Sequence, residues 1–211
     1  MLRERNFPTA MMLPQAGICT DAGAASNIRK QAEKWGKPLI VYIKSDTYLQ
    51  PSTVQSLDAD GVVAAVKYGT PRTSDAATAN DVFLKELVQC VSASKIISGI
   101  GERPAITHLR DFGLQGFTSG SVCIAPRGSM KILQQIQAGQ YDQALALRAH
   151  YLPLEDQRDA INPIRALHEA VTLAGIANMG PMLPTLRNIE PQYFDAVRAA
   201  AQALLAWDLS H

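Results

Sequence analysis

Val62-Val63-Ala64-Ala65-Val66-Lys67-Tyr68-Gly69 is a short apolar run, rich in β-branched residues, set between Asp60-Gly61 and Gly69-Thr70-Pro71. Such a run reads as a strand buried on both faces. Lys67 is read as its last residue, and burying an ammonium there is costly unless the charge is paired or neutralised. Two readings are open. A desolvated lysine gives up its proton readily and can then attack a carbonyl carbon. Alternatively, the stem lies along the strand end while the ammonium reaches water.

Working outward, the same alternation repeats on both sides. Thr9 to Leu13 reads as a strand entering a loop, and Thr20-Asp21 as the cap of a helix from Ala22 to Trp35 that Gly36 stops. Leu39 to Ile43 is a second buried strand, and Pro51 to Leu57 a short helix with proline in its first turn. Beyond Lys67 come a helix over 79–91, a strand over 95–99, a short helix from Pro104 to Phe112 and a strand over 115–119. Five strands separated by helices, with no hairpin dipeptide between them, give a parallel α/β arrangement. Periodicity alone leaves open whether this is a doubly wound sheet or part of a barrel. Past Pro126 the pattern is helical only, over 130–138, 140–152, 162–174 and 191–207.

Composition narrows the function classes. Of 211 residues, 47% are hydrophobic, enough for one sizeable core, and the formal charge of +1 gives no electrostatic case for nucleic acid or an anionic membrane. Cys19, Cys90 and Cys123 are distant from one another and odd in number, which fits reduced thiols in the core. The start, Met1 to Asn6, is charged rather than apolar, and no apolar run reaches membrane-spanning length. The expectation is a soluble, cytoplasmic protein.

Polar residues gather where the strands end: Tyr42 and Lys44, then Lys67 and Tyr68, then Gly99 to Glu102, then Thr118, Ser119 and Ser121. In a parallel sheet ligands bind at the carboxyl ends of strands, so these groups are expected on one side. Tyr42 is either a proton relay to an imine-forming lysine or a strand-end aromatic with its hydroxyl in water. His108 and His168 lack partners at metal-ligand spacing and read as surface or capping groups; His150 and His211 say less. Glu155, Asp156 and Asp159 beside Arg158 read as a solvated, charge-paired helix face. Neither a dinucleotide fingerprint nor a nucleophile elbow is present.

Tyr42, Lys67 and Asn162-Pro163-Ile164 together resemble the dihydrodipicolinate synthase and N-acetylneuraminate lyase family of class I aldolases. The likeness extends to Ser98-Gly99, to Gly116-Phe117-Thr118-Ser119 and to the proline-bearing segment Gly180 to Pro184, and it runs from Thr9 to the end of the chain. It implies a TIM (β/α)8 barrel with a carboxyl-terminal helical extension. It also implies a Schiff base between Lys67 and pyruvate or a related 2-keto acid, with Tyr42 relaying protons. Gly99 and Thr118 would line the pocket, and Lys44 or Ser119 would contact the carboxylate. No metal or organic cofactor is implied, and a homo-oligomer, dimer or tetramer, is.

Two departures from the family pattern shape the expectation. Laid on the family, the chain starts just before the fourth barrel strand, so the barrel is expected to be incomplete, about strands 4 to 8, with 1–126 as the partial barrel. Residues 127–211 would then form the last barrel helix and the helical domain. The second departure lies after Tyr42, where Ile43-Lys44-Ser45-Asp46-Thr47-Tyr48 stands in place of a loop bearing an arginine, with Thr47 near the arginine position. A lyase of divergent specificity follows. The alternatives are a truncated, inactive member serving as a scaffold or having no role, and a phosphate-binding barrel isomerase using Gly99 to Glu102.

Overall fold

Leu39–Ile43 (β2) and Val63–Tyr68 (β3) run side by side and parallel, with Met11–Met12 (β1) beyond β2 and Ile96–Ser98 (β4) beyond β3. The computed structural model describes residues 6–15 and 17–210; the readings made for 1–5, Ala16 and His211 lie outside the described residues. The strand order β1-β2-β3-β4 is the order of the sequence. Parallel neighbours need crossovers, and crossovers share one hand, so an order that never reverses carries its helices on one face. A doubly wound sheet requires a reversal, and none occurs among these strands.

Register and pleat sort the side chains into two sets. Val41, Ile43, Val66, Tyr68, Ile96 and Ser98 are buried on one face, while Ile40, Tyr42, Ala65, Lys67 and Ile97 are half-buried on the other. The expectation of burial on both faces is therefore corrected. Apolar residues on both sides of the pleat mimic two-sided burial in sequence, but only one face is closed over. Lys67 is also not the last strand residue, because β3 continues through Tyr68, whose ring stacks 6.0 Å from Phe83 and lies 5.8 Å from His108.

Asp21–Trp35 (α1) begins at Thr20, whose hydroxyl accepts the Gly23 N–H, and ends at Gly36, which is left-handed at φ 76°. Pro51–Ala59 (α2) starts on its proline as expected. The single helix expected over 79–91 is two, Asp75–Ala79 (α3) and Val82–Cys90 (α4), because Asn80-Asp81 interrupts it and Asp81 caps α4 through the Leu84 N–H. The fifth strand is reduced to one bridge between Phe117 and Ser98. That stretch has one large apolar side chain and a glycine, too little to hold a ladder. The thiols are free as expected, but Cys123 is exposed and the other two are half-buried, so none belongs to the core.

Ala105–Phe112 (α5) carries Ala105, His108, Leu109 and Phe112 on one stripe, all buried. His108 is 1% exposed, which corrects its reading as a surface or capping group: the spacing i, i+3, i+4, i+7 commits it to the core. Its Nδ1 lies 2.8 Å from the Ser98 hydroxyl, and burial pushes the imidazole down to about 4.

The chain divides into two units, 1–100 with 107–117, and 101–106 with 118–211. The second contains Pro126–Gln137 (α6), Tyr141–Arg148 (α7), Leu152–Ile161 (α8), Pro163–Leu173 (α9) and Phe194–Leu209 (α10). The helix expected over 140–152 stops at Arg148 and a new one begins at Leu152, with Pro153 in its first turn. Asn162 explains the Asn-Pro-Ile segment physically: its side chain accepts the N–H groups of Ile164 and Arg165, each at 3.1 Å, and Pro163 opens α9.

Glu155 is fully buried, correcting its place on a solvated face that Asp156 and Asp159 do occupy. It accepts the N–H of Glu102 at 2.9 Å and of Arg103 at 3.1 Å, and pairs with Arg158 at 3.1 Å. Burial pushes its carboxyl up to about 7 against the pull of Arg158. Among the described residues no helix is long and apolar enough to cross a membrane, and no cluster of His, Cys, Asp and Glu is placed to hold a metal ion.

The His108 environment has a measurable consequence. Because folding favours the neutral ring, its contribution is complete above the unfolded value of 6.5 and is lost as pH falls towards about 4. The difference amounts to about 3 kcal/mol. An NMR titration of the imidazole is expected to show a midpoint near 4; a midpoint near 6.5 would mean that water reaches the ring.

Candidate active site

Tyr42 and Lys67 are register partners on β2 and β3, and Ile97 of β4 completes the row. One row towards the amino ends of the strands lie Ile40 and Ala65, so the lysine stem rises from an apolar floor. Its Nζ sits 4.6 Å from the centroid of the Tyr42 ring. The side chain is half-buried rather than extended into water, and among the described residues it makes no hydrogen bond or ion pair. Burial draws the amine below the ordinary lysine value, and the charge of Lys44 draws it further. The ring face opposes this by stabilising the ammonium, but a cation–π contact contributes only about 1 kcal/mol at such a site. The net direction remains downward, towards the free base that attacks carbonyls.

Two glycines make room for the pair. A Cβ on Gly99 would lie 2.8 Å from Lys67 Cγ and 2.8 Å from the Tyr68 carbonyl oxygen, and one on Gly69 would lie 2.8 Å from Tyr42 Cε2. Gly99 was expected at the pocket for its place after a strand, and here it yields space to the lysine stem. Gly69 closes the opening stretch and was read only as a strand boundary. Its role in seating the Tyr42 ring depends on a partner 27 positions away, which no local pattern discloses.

Beneath the sheet, sequence reasoning missed a group of charges. The Tyr68 hydroxyl donates to Asp81 at 2.7 Å, and Arg72 spans Asp81 (Nε, 2.7 Å) and Asp46 (2.8 and 3.1 Å). Asp81 is fully buried as a side chain. Burial alone would raise its carboxyl, but Arg72, the Leu84 N–H and the Tyr68 hydroxyl hold it below the ordinary range. Asp81 lay inside the helix expected over 79–91, and only the turn-prone pair Asn80-Asp81 could have signalled the cap.

The remaining expected residues are more dispersed. Lys44 is exposed just past β2. Thr118 and Ser119 belong to the second unit. Thr118 is exposed, with its carbonyl taking the Gly101 N–H. The Ser119 hydroxyl donates to the buried Glu102 at 2.6 Å while accepting the Ser121 N–H, so it is already committed. An open cleft of about 350 Å³, lined by Arg29, Glu33, Lys37 and Val62 among others, lies at the opposite, amino-terminal ends of β2 and β3 and holds none of these groups.

Comparison with known proteins adds to this geometry. The model of the Dihydrodipicolinate synthetase family matches residues 19–204. No curated protein sequence matches the chain. Among solved structures, dihydrodipicolinate synthase from Oceanobacillus iheyensis is similar at 22% identity and a TM-score of 0.76, over 98% of this chain and 66% of that one. The synthase from Bacillus clausii is similar at 20% identity and 0.73, over 94% and 64%. A prophage protein of the dihydrodipicolinic acid synthase family from E. coli K12, in complex with pyruvate, is similar at 17% identity and 0.75, over 93% and 66%. At these identities the likeness is one of fold, and the chain spans about two thirds of each neighbour.

Substituting Gly99→Ala is expected to drive the Lys67 stem off the Tyr42 ring. The measurement is lysine-specific labelling read by peptide mass spectrometry, where Lys67 should gain reactivity like that of an exposed lysine at high pH and lose it near pH 7. Unchanged Lys67 labelling across pH would show that the close approach does not seat the amine.

Proposed function

The chain belongs to the dihydrodipicolinate synthetase family, and from that premise we propose that it is a Schiff-base lyase, aldolase or dehydratase acting on pyruvate or a related 2-keto acid. The observation that carries the reading is the pairing of Lys67 with Tyr42: an amine with no ion-pair partner among the described residues, half out of water, lying on a phenol ring at the same height. The neutral Nζ adds its lone pair to the keto carbon, the carbonyl oxygen takes up protons and leaves as water, and an iminium remains. The passing of these protons is assigned to Tyr42, whose ring lies against the amine. The iminium then accepts the electron pair released from the adjacent carbon, whether by breaking a C–C bond or by losing a proton ahead of dehydration.

Lys44 is assigned to the substrate carboxylate in preference to Ser119, whose proton is spent on Glu102. Gly99 is assigned to the pocket lining, and the part expected of Thr118 is not assigned. Thr47 engages the Ser45 hydroxyl at 2.8 Å and offers no guanidinium, which favours a substrate with one carboxylate over a dicarboxylate and so a divergent specificity. The sequential parallel strands agree with the later part of a barrel, about strands 4 to 8, and we take the protein to be cytoplasmic and a homo-oligomer, dimer or tetramer. The second reading is a family member without catalytic activity that serves as a scaffold; the exposed Met11 of β1 and Leu13 just beyond it, apolar surface that an assembly partner would cover, favour it.

Incubation with pyruvate and borohydride, followed by peptide mapping, decides between them. A reduced adduct on Lys67, absent in Lys67→Arg and formed about 10²-fold or more slowly in Tyr42→Phe, is the expected result. No adduct at Lys67 across a panel of 2-keto acids would overturn the proposal.

A further inference from the structure

Lys44 stands just past β2 and Lys67 near the end of β3, and one guanidinium joins the loops that follow those two strands. Arg72, five residues past Lys67, donates from Nε and Nη2 to Asp81, each at 2.7 Å, and from Nη1 and Nη2 to Asp46 at 2.8 and 3.1 Å. Asp46 is two residues past Lys44. Asp81 in turn accepts the Tyr68 hydroxyl at 2.7 Å and caps α4, so the bridge is tied to β3 and to a helix at once. The loop between is tight as well, with the Tyr48 N–H on the Ser45 carbonyl at 3.1 Å and Ser45 and Thr47 hydroxyls 2.8 Å apart. Side-chain exposure rises from 0% at Asp81 through 20% at Arg72 to 38% at Asp46, so the inner pair is anchored and the outer carboxylate is the part that reaches the Lys44 loop.

Stability alone explains this arrangement poorly. A buried ion pair is often no more stabilising than apolar side chains in its place, and the partly exposed outer pair adds little, whereas the three groups together tie the segments that they join. The segments joined here carry the two amines. We propose that the Asp46–Arg72–Asp81 bridge is a positioning device that holds the Lys44 ammonium beside Lys67, presenting both to one anionic carbonyl substrate. The choice of substrate rests on the imine reading above; the positioning itself does not.

The surroundings of Lys67 isolate the effect. From β2 it faces Tyr42 and from β4 Ile97, with Gly99 beyond, and Lys44 follows two residues past Tyr42, near enough for its charge to act on the amine; the charges and titratable groups of Tyr68, Arg72, Asp81 and His108 are tied to the opposite face of the sheet. Burial is the larger cause of the downward shift of Lys67, and Lys44 is the charged neighbour that adds to it. Releasing Asp46 frees the Lys44 loop and weakens that repulsion.

Competitive labelling with trace acetic anhydride across pH, read on the Lys67 peptide, measures the amine with no keto acid present. Asp46→Asn is expected to lower Lys67 labelling at neutral pH by about fivefold, the effect of about 1 kcal/mol between like charges near a surface. Asp46→Glu, which keeps a carboxylate for Arg72, is expected to restore most of it. Lys44→Met reads the same coupling without touching the bridge, should give a similar loss, and should make the further addition of Asp46→Asn silent. Cooperative melting of each variant confirms that it is folded. Wild-type labelling in Asp46→Asn, or an undiminished Asp46→Asn effect in the Lys44→Met background, would overturn the proposal. If labelling behaves as stated and borohydride traps nothing on Lys67, the positioning stands and the imine reading falls.

Discussion

An ammonium resting 4.6 Å from the centre of a tyrosine ring, on the less covered side of a parallel sheet, sets the demands that the first unit meets. Parallel pairing in register puts Tyr42 and Lys67 at one height, and a slip by one residue would send the lysine to the buried face. There it would meet the packed rings of Tyr68, Phe83 and His108. The pleat therefore puts the amine and the ring on one face and the anchoring groups on the other.

The buried face is unusually polar for a core. Tyr68, Asp81, Arg72, Ser98 and His108 are joined by hydrogen bonds or ring contacts, and a network of this kind is worth its desolvation only when its members are matched. The second unit uses the same device with different residues: Glu102 takes the Ser119 and Ser129 hydroxyls, and Glu155 takes the turn amides of Glu102 and Arg103. In both units a carboxylate fully out of water organises a segment that follows a strand or precedes a helix.

Much of this was legible from residue order. Apolar runs bounded by glycine and proline gave the strands β2, β3 and β4, and caps at Thr20 and Asn162 gave two helix starts. Lys67 was visible because a charge at the end of an apolar run has few explanations, and the family resemblance named its partner Tyr42. What stayed hidden depends on distance along the chain. Glu155 looks solvated beside Asp156 and Arg158, and only the amides of residues 102 and 103, over fifty positions earlier, draw it inside. Gly69 looks like punctuation until the Tyr42 ring is set against it. His108 is a different case, because its place on the stripe with Ala105, Leu109 and Phe112 was readable, and its polarity outweighed the spacing.

The central claim is that the amine and the ring form one site, and a crystal structure of the protein after reduction with borohydride in the presence of pyruvate tests it most directly. The account predicts density continuous from Lys67 Nζ into a three-carbon acid, with the new bond over the Tyr42 ring and the carboxylate towards Lys44. An unmodified Lys67 with the adduct on another lysine, or a Lys67 adduct swung away from Tyr42 into solvent, would contradict it.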